Sequence, residues 1–172
     1  MVAPGTAAQG SKVDLVCLFQ VELTFSPPLN FNTTDAVLRG FASSCGTPSG
    51  RFPRIKSGVV FSSKPLRASG CSPAPLTITG LGGSVFWSDG STDTYSVNVN
   101  TDPLTGGLGF RAGYTDGKFG GGELTGAPVI LAQHGLCGLG GVRSLTIGLG
   151  VAVITTPATK RRHGRASIDR AR

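Results

Sequence analysis

The sequence predicts an all-β fold, an antiparallel β-sandwich or closed β-barrel of about eight short strands stapled by disulfides. Apolar residues recur at alternate positions in segment after segment, the period of a strand with one buried face. Turn residues punctuate those segments, and glycine or proline interrupts every stretch that could sustain a helical stripe. Four cysteines, Cys17, Cys45, Cys71 and Cys137, add the signature of a domain made in an oxidising compartment.

Residues 1–14 read as a flexible leader, 15–156 as a single β-domain and 157–172 as a basic, disordered tail. The first strand puts Cys17, Phe19, Val21, Leu23 and Phe25 on one face and Gln20, Glu22 and Thr24 on the other. Pro27 and Pro28, which cannot donate to a ladder, end it. Runs over 35–43 and 58–62 follow, the second carrying Val59, Val60 and Phe61. Residues 76–88 form a longer strand pattern in which Gly80, Gly82 and Gly83 predict a bulge or bend. Asp89-Gly90 then supplies a tight hairpin turn, since this pair tolerates the positive φ angles such a turn requires. Beyond it Tyr95, Val97 and Val99 point inward and Ser96, Asn98 and Asn100 outward. A turn at Asp102-Pro103 leads to the alternation Leu108, Phe110, Ala112, Tyr114. A second pair, Asp116-Gly117, predicts a hairpin into a strand starting at Lys118. The last two strands fall near 128–132 and 144–155, the latter placing Leu145, Ile147, Leu149, Val151 and Val153 on one side.

At 172 residues the chain is long enough for one domain with a sizeable core. Its net charge of +7 invites a nucleic-acid reading, which the distribution of charge weakens. Residues 157–172 hold six basic side chains against Asp169, a net +5; the 156 residues before them hold ten basic and eight acidic, a net +2. The body is therefore nearly neutral, and no specific nucleic-acid binding is expected. The longest apolar stretch, 145–154, falls well short of the roughly 20 residues a membrane-crossing helix needs. The N-terminal residues lack the basic and apolar regions of a signal peptide, so export is expected through a start upstream of this frame. The expected location is extracellular or in the cell envelope.

Three blocks carry a resemblance: CLFQVELTFSPPL (17–29), GCSPAPLTITGLGGSVFWSDGST (70–92) and GLCGLGGVRSLTIGLGVAVI (135–154). Together they resemble small, glycine- and threonine-rich, cysteine-containing exported β-proteins of actinobacteria. The likeness spans most of 15–156 and implies an all-β exported domain. It brings no catalytic residue with it.

The four cysteines allow three pairings. Cys45–Cys71 and Cys17–Cys137 are the favoured ones, closing the loop-rich middle and tying the first strand to the approach of the last. There is no Cys-x-x-Cys, and spacings of 28, 26 and 66 do not suit a zinc knuckle, so neither metal nor cofactor is implied. Catalytic machinery is sparse. His134 reads as a loop residue that could orient a serine or draw on Asp89, Asp93 or Asp116, but no nucleophile elbow accompanies it. Gly107 to Ala112 imitates a dinucleotide fingerprint, yet it lies inside a strand rather than at a strand-to-helix turn. Asp89, Ser91 and Asp93 imitate the opening of a calcium loop that Asn100 fails to complete.

The basic side chains Arg39, Arg51, Arg54, Lys56, Lys64 and Arg67 occur with no acidic residue between them, a candidate patch for an anionic cell-envelope polymer. Trp87 and Tyr95 are in phase with Val85 and Val97, which argues for core rather than a sugar platform. The expected function is a non-enzymatic binding or structural role at or outside the cell envelope. The alternatives are a barrel carrying a small apolar ligand and a hydrolase built near His134.

Overall fold

A computed structural model describes residues 12–71, 75–102 and 104–157. These form ten strands: β1 (Lys12–Leu29), β2 (Thr33–Gly46), β3 (Gly58–Ser62), β4 (Leu66–Gly70), β5 (Leu76–Trp87), β6 (Thr92–Thr101), β7 (Leu108–Asp116), β8 (Glu123–Thr125), β9 (Val129–Leu136) and β10 (Leu139–Thr156). The basic tail after Pro157 and most of the expected leader lie outside the described residues.

The sheet closes into an eight-strand antiparallel barrel with extra strands. Going round the wall, β1 pairs with β2, β2 with β3, and the meander continues through β5, β6, β7 and β8 to β10, which returns to β1. The two extra strands are continuations. β3 and β4 run in the same direction between β2 and β5, with Ser63, Lys64 and Pro65 bulging out between them. β8 and β9 do the same along β10, with Gly126, Ala127 and Pro128 as the break. The sequence therefore needs no crossover to close: every connection joins neighbours.

The inward positions of each strand are apolar. Phe19, Val21, Leu23, Leu38, Val60, Ile78, Val85, Val97, Val99, Phe110, Leu145 and Ile147 are all buried. Their outward neighbours on the same strands include Glu22, Thr24, Arg39, Asn98, Asn100 and Arg111. The interior is therefore apolar, unlike the polar interior of a membrane-spanning barrel. Among the described residues no helix is long and apolar enough to cross a bilayer.

The structure corrects several expectations. β1 starts at Lys12, not after 14: Val13 pairs with Thr155, and Asp14 and Leu15 are fully buried, so the barrel reaches into the expected leader. Pro27 and Pro28 interrupt the ladder without ending the strand, because Leu29 rejoins β10 at Val142. No strand starts at Lys118; turns occupy 117–122 and β8 follows. The largest difference is in β10. Gly150 adopts φ +54° and a bulge separates the pairs Phe19–Gly150 and Gln20–Gly148, which leaves Leu149 unopposed. The extra residue reverses the phase. Leu145, Ile147 and Leu149 point inward as expected, but Val151 is exposed, Val153 is half-buried, and Ala152 and Ile154 take the core positions.

The cysteine pairing is also corrected. The bonds are Cys17–Cys45 and Cys71–Cys137. Cys17 and Cys45 lie on the paired strands β1 and β2 at a bulge between Val16–Gly46 and Leu18–Ser43, with Cα atoms 4.2 Å apart. Cys71 leaves β4 at the opposite end of the barrel, where Cys137 forms the β9–β10 turn. Neither expected partner is within reach, because Cys45 and Cys71 sit at opposite ends of the wall, as do Cys17 and Cys137.

Candidate functional site

Four regions could carry a function: the two ends of the barrel, its interior and its outer wall. The first end, where β1 starts and β10 finishes, is closed by an aromatic plug. Phe119 is fully buried, its ring centroid 4.7 Å from Phe52, 5.5 Å from Trp87 and 5.7 Å from Tyr114. Asp93 holds the plug in place. It has no exposed surface; one carboxylate oxygen accepts from Trp87 Nε1 and the other from the Phe119 backbone N–H, both at 2.7 Å. Burial raises the Asp93 pKa, against the pull of these two donors. Nearby, Asp89 bonds Lys118 and Ser91, which lowers its pKa to about 2. A second buried carboxylate, Asp14, accepts from Thr156 Oγ1 and from Arg51 Nη1, the latter at 3.2 Å. The β2–β3 loop is thus strapped across this end.

The second end is tied by the Cys71–Cys137 bridge, by a 2.7 Å bond from the Gly138 N–H to Asn30 Oδ1, and by the Phe31 N–H on the Gly70 carbonyl. These contacts join the β1–β2, β4–β5 and β9–β10 turns into one rigid rim.

The interior is packed. The space left among Phe19, Leu38, Val85, Tyr95, Phe110 and Tyr114 amounts to about 20 Å³, little more than the room one water occupies. The Tyr95 ring lies against Gly83, where a Cβ would fall inside the ring, so only glycine admits it. The Tyr95 hydroxyl is buried without a hydrogen-bond partner. Burial pushes the hydroxyls of Tyr95 and Tyr114 well above the usual phenol range, so both stay neutral donors.

The outer wall is divided. Over β5, β6 and β7 it is a polar trough of small and amide side chains, with Thr79, Ser96, Asn98 and Arg111 along it. Where β1, β2, β3 and β5 adjoin toward the plugged end it carries an apolar patch, with Glu22, Thr24 and Arg39 beside it. Phe41 faces Val59, Val59 faces Phe86, and Phe86 stacks on Phe61 at 5.2 Å with planes 10° apart. Leu18 lies diagonal to Phe41 and faces Val151 across the β1–β10 pair. Beside them an open groove of about 460 Å³ runs over Gly148 and Gly150, walled by Val129 and Leu131 on one side and Leu18 and Phe41 on the other.

The candidate residues read from the sequence disperse in this frame. Arg51, Arg54 and Lys56 belong to the loop at the plugged end, whereas Arg39, Lys64 and Arg67 lie along the wall. Arg51 is engaged by Asp14, Arg67 bonds Asp35 at 2.8 Å, and Arg39 stands opposite Glu22 in the β1–β2 register. His134 is not in a loop but exposed on β9, opposite Ser144 near the second rim. Asp89, Asp93 and Asp116 are at the other end, so the structure does not bring that histidine and those carboxylates together. All four cysteines are spent in disulfides, and among the described residues no group of three or more His, Cys, Asp or Glu could hold a metal.

The alternating pattern does not single out the apolar wall. Its signal is present as short unbroken apolar runs, Val59-Val60-Phe61 and Val85-Phe86-Trp87, in which at least one side chain must point outward. Comparison of the chain with protein-family models, curated proteins and solved structures returns no match.

Proposed function

We propose that this protein is an exported, non-enzymatic β-barrel that acts as a binding or structural module through its outer wall. The observation that carries this reading is the contrast between the packed interior, with about 20 Å³ unfilled, and the apolar outer face built on Phe41, Val59 and Phe86. A large exposed apolar patch on a rigid protein marks a surface that meets another molecule. Export is supported by two disulfides, which persist in oxidising compartments.

A second reading, carriage of a small apolar ligand, draws on one observation: the unpartnered Tyr95 hydroxyl beside the interior space. A ligand there would have to displace core side chains and accept one hydrogen bond. Native mass spectrometry with a fluorescent fatty acid separates the two. The outer-wall reading expects no one-to-one complex that depends on the interior. A stoichiometric complex lost on Ala112→Leu, which fills the space, would favour the carrier.

A further inference from the structure

We propose that the apolar face centred on Phe41 is a self-association surface, and that its occupant is a second copy of this chain. The inference rests on the outer-wall reading and gives that wall its partner.

Three observations select a second copy. The first is area. Leu18, Phe41, Val59, Phe86, Leu131 and Val151 are 46–60% exposed and contiguous across neighbouring strands. At about 150 Å² for a fully exposed side chain averaged over Val, Leu and Phe, they present on the order of 450 Å² of apolar surface. That lies within the range of the largest single patch on a monomer, which is often functional. It also matches the apolar share of a standard interface, about 800 Å² per partner and somewhat over half non-polar.

The second is charge. The nearest charged side chains in the register are Glu22 and Arg39, directly opposite one another on β1 and β2. Within the strand register the face thus sets one acid beside one base, with the exposed Lys56 and Lys64 in the loops that flank it. Along the paired strands neither sign dominates, so two identical copies can set acid against base. About a two-fold axis, the Glu22 side of one copy can turn toward the Arg39 side of the other, the reciprocity an isologous contact requires.

The third is shape. The same face carries both a recess and a ridge. The recess is the groove over Gly148 and Gly150; the ridge is the stacked pair Phe61 and Phe86. A surface with both features on either side of Phe41 can be complementary to a rotated copy of itself. The barrel wall beneath is held by Cys17–Cys45, so little ordering is needed on association.

Sedimentation velocity on the full chain from 1 to about 100 μM tests this directly. The wild type is expected to pass from monomer to dimer within that range, and Phe41→Asp to weaken association roughly ten- to hundred-fold, as expected for a central aromatic. Asn98→Asp, on the polar trough, should leave it unchanged. Intact disulfides and a native Trp87 emission spectrum show that each variant has folded; if Phe41→Asp does not fold, Val59→Lys takes its place with the same expectation. A wild type that stays monomeric throughout, or a dimer indifferent to Phe41→Asp or to the Val59→Lys that replaces it, overturns the inference. A monomer that instead binds phosphatidylglycerol vesicles through Phe41 also overturns it, while leaving the outer-wall reading intact. Only an interior ligand would remove that reading.

Discussion

Asp93 is the side chain on which the plugged end depends, and replacing it gives a result that can be worked out in advance. Its two oxygens serve two different donors, Trp87 Nε1 and the Phe119 N–H, each at 2.7 Å and each out of contact with water. Asp93→Ala leaves both donors buried and unpartnered, at about 1–3 kcal/mol apiece. Removing a buried carboxylate returns part of that cost, so a net loss of about 2–4 kcal/mol is expected. Asp93→Asn keeps one acceptor and turns an NH₂ toward the other donor, for an expected loss of about 1–3 kcal/mol. The assay is urea unfolding followed by the fluorescence of Trp87, the chain's single tryptophan and itself one of the two donors. The pH dependence has a definite sign. Burial raises the folded-state pKa of Asp93, so its stabilising contribution is full below the unfolded pKa of about 3.9 and falls as pH rises through the folded value. The gap between wild type and Asp93→Asn should therefore be widest near pH 4 and narrow toward pH 7. Both variants unfolding within about 0.5 kcal/mol of wild type would refute the assignment of Asp93 as the plug's anchor.

Three further outcomes follow from the same geometry. Asp89, held down to about pKa 2 by Lys118 and Ser91, contributes stability above pH 4 that is lost as pH falls toward 2; Asp89→Asn should flatten that limb of an acid titration, and an unchanged slope would show that the pair does not form. Gly83→Ala places a methyl group where the Tyr95 ring sits, and an overpacking loss of about 1–3 kcal/mol is expected in the same urea assay, with Gly46→Ala as the comparison because nothing lies near that Cβ and its φ is outside the left-handed region. Non-reducing peptide mapping should recover Cys17 joined to Cys45 and Cys71 joined to Cys137; opening either bridge by a double alanine substitution should cost up to about 4 kcal/mol, since the bridges span 28 and 66 residues.

Much of the barrel was legible because its strands obey a period of two. The phase assigned to Cys17 through Phe25, to Tyr95 through Val99 and to Leu108 through Tyr114 is the phase observed, and β3 spans the residues expected for it. The failures have specific physical causes. Gly150 hides a bulge that flips the end of β10, and a bulge leaves no trace in an alternating pattern until the phase has already changed. The expected runs do not include β4, where Ser63 to Pro65 is an insertion in a strand that continues past it. The cysteine pairing differs from the expected one because an alternating pattern fixes which residues are buried and says little about which end of a barrel they occupy. The Asp116-Gly117 pair signals a hairpin into a strand at Lys118, yet here the backbone turns twice so that Phe119 can enter the barrel end. The candidate site was the least legible part. An outward Phe41 or Val59 looks in sequence like any other apolar residue in a β-strand, and only the register reveals that they face one another on the solvent side.

The most direct test of an outer-wall function is a set of two-dimensional amide NMR spectra of the labelled protein, recorded over a concentration series and again with the fluorescent fatty acid. The expected result is a set of concentration-dependent shifts confined to the outward residues around Leu18, Phe41, Val59 and Phe86, with the inward residues unmoved by the fatty acid. Shifts at Tyr95, Val97 and Phe110 on adding the fatty acid, with the outer face unchanged at every concentration, would contradict it and place the working surface inside the barrel.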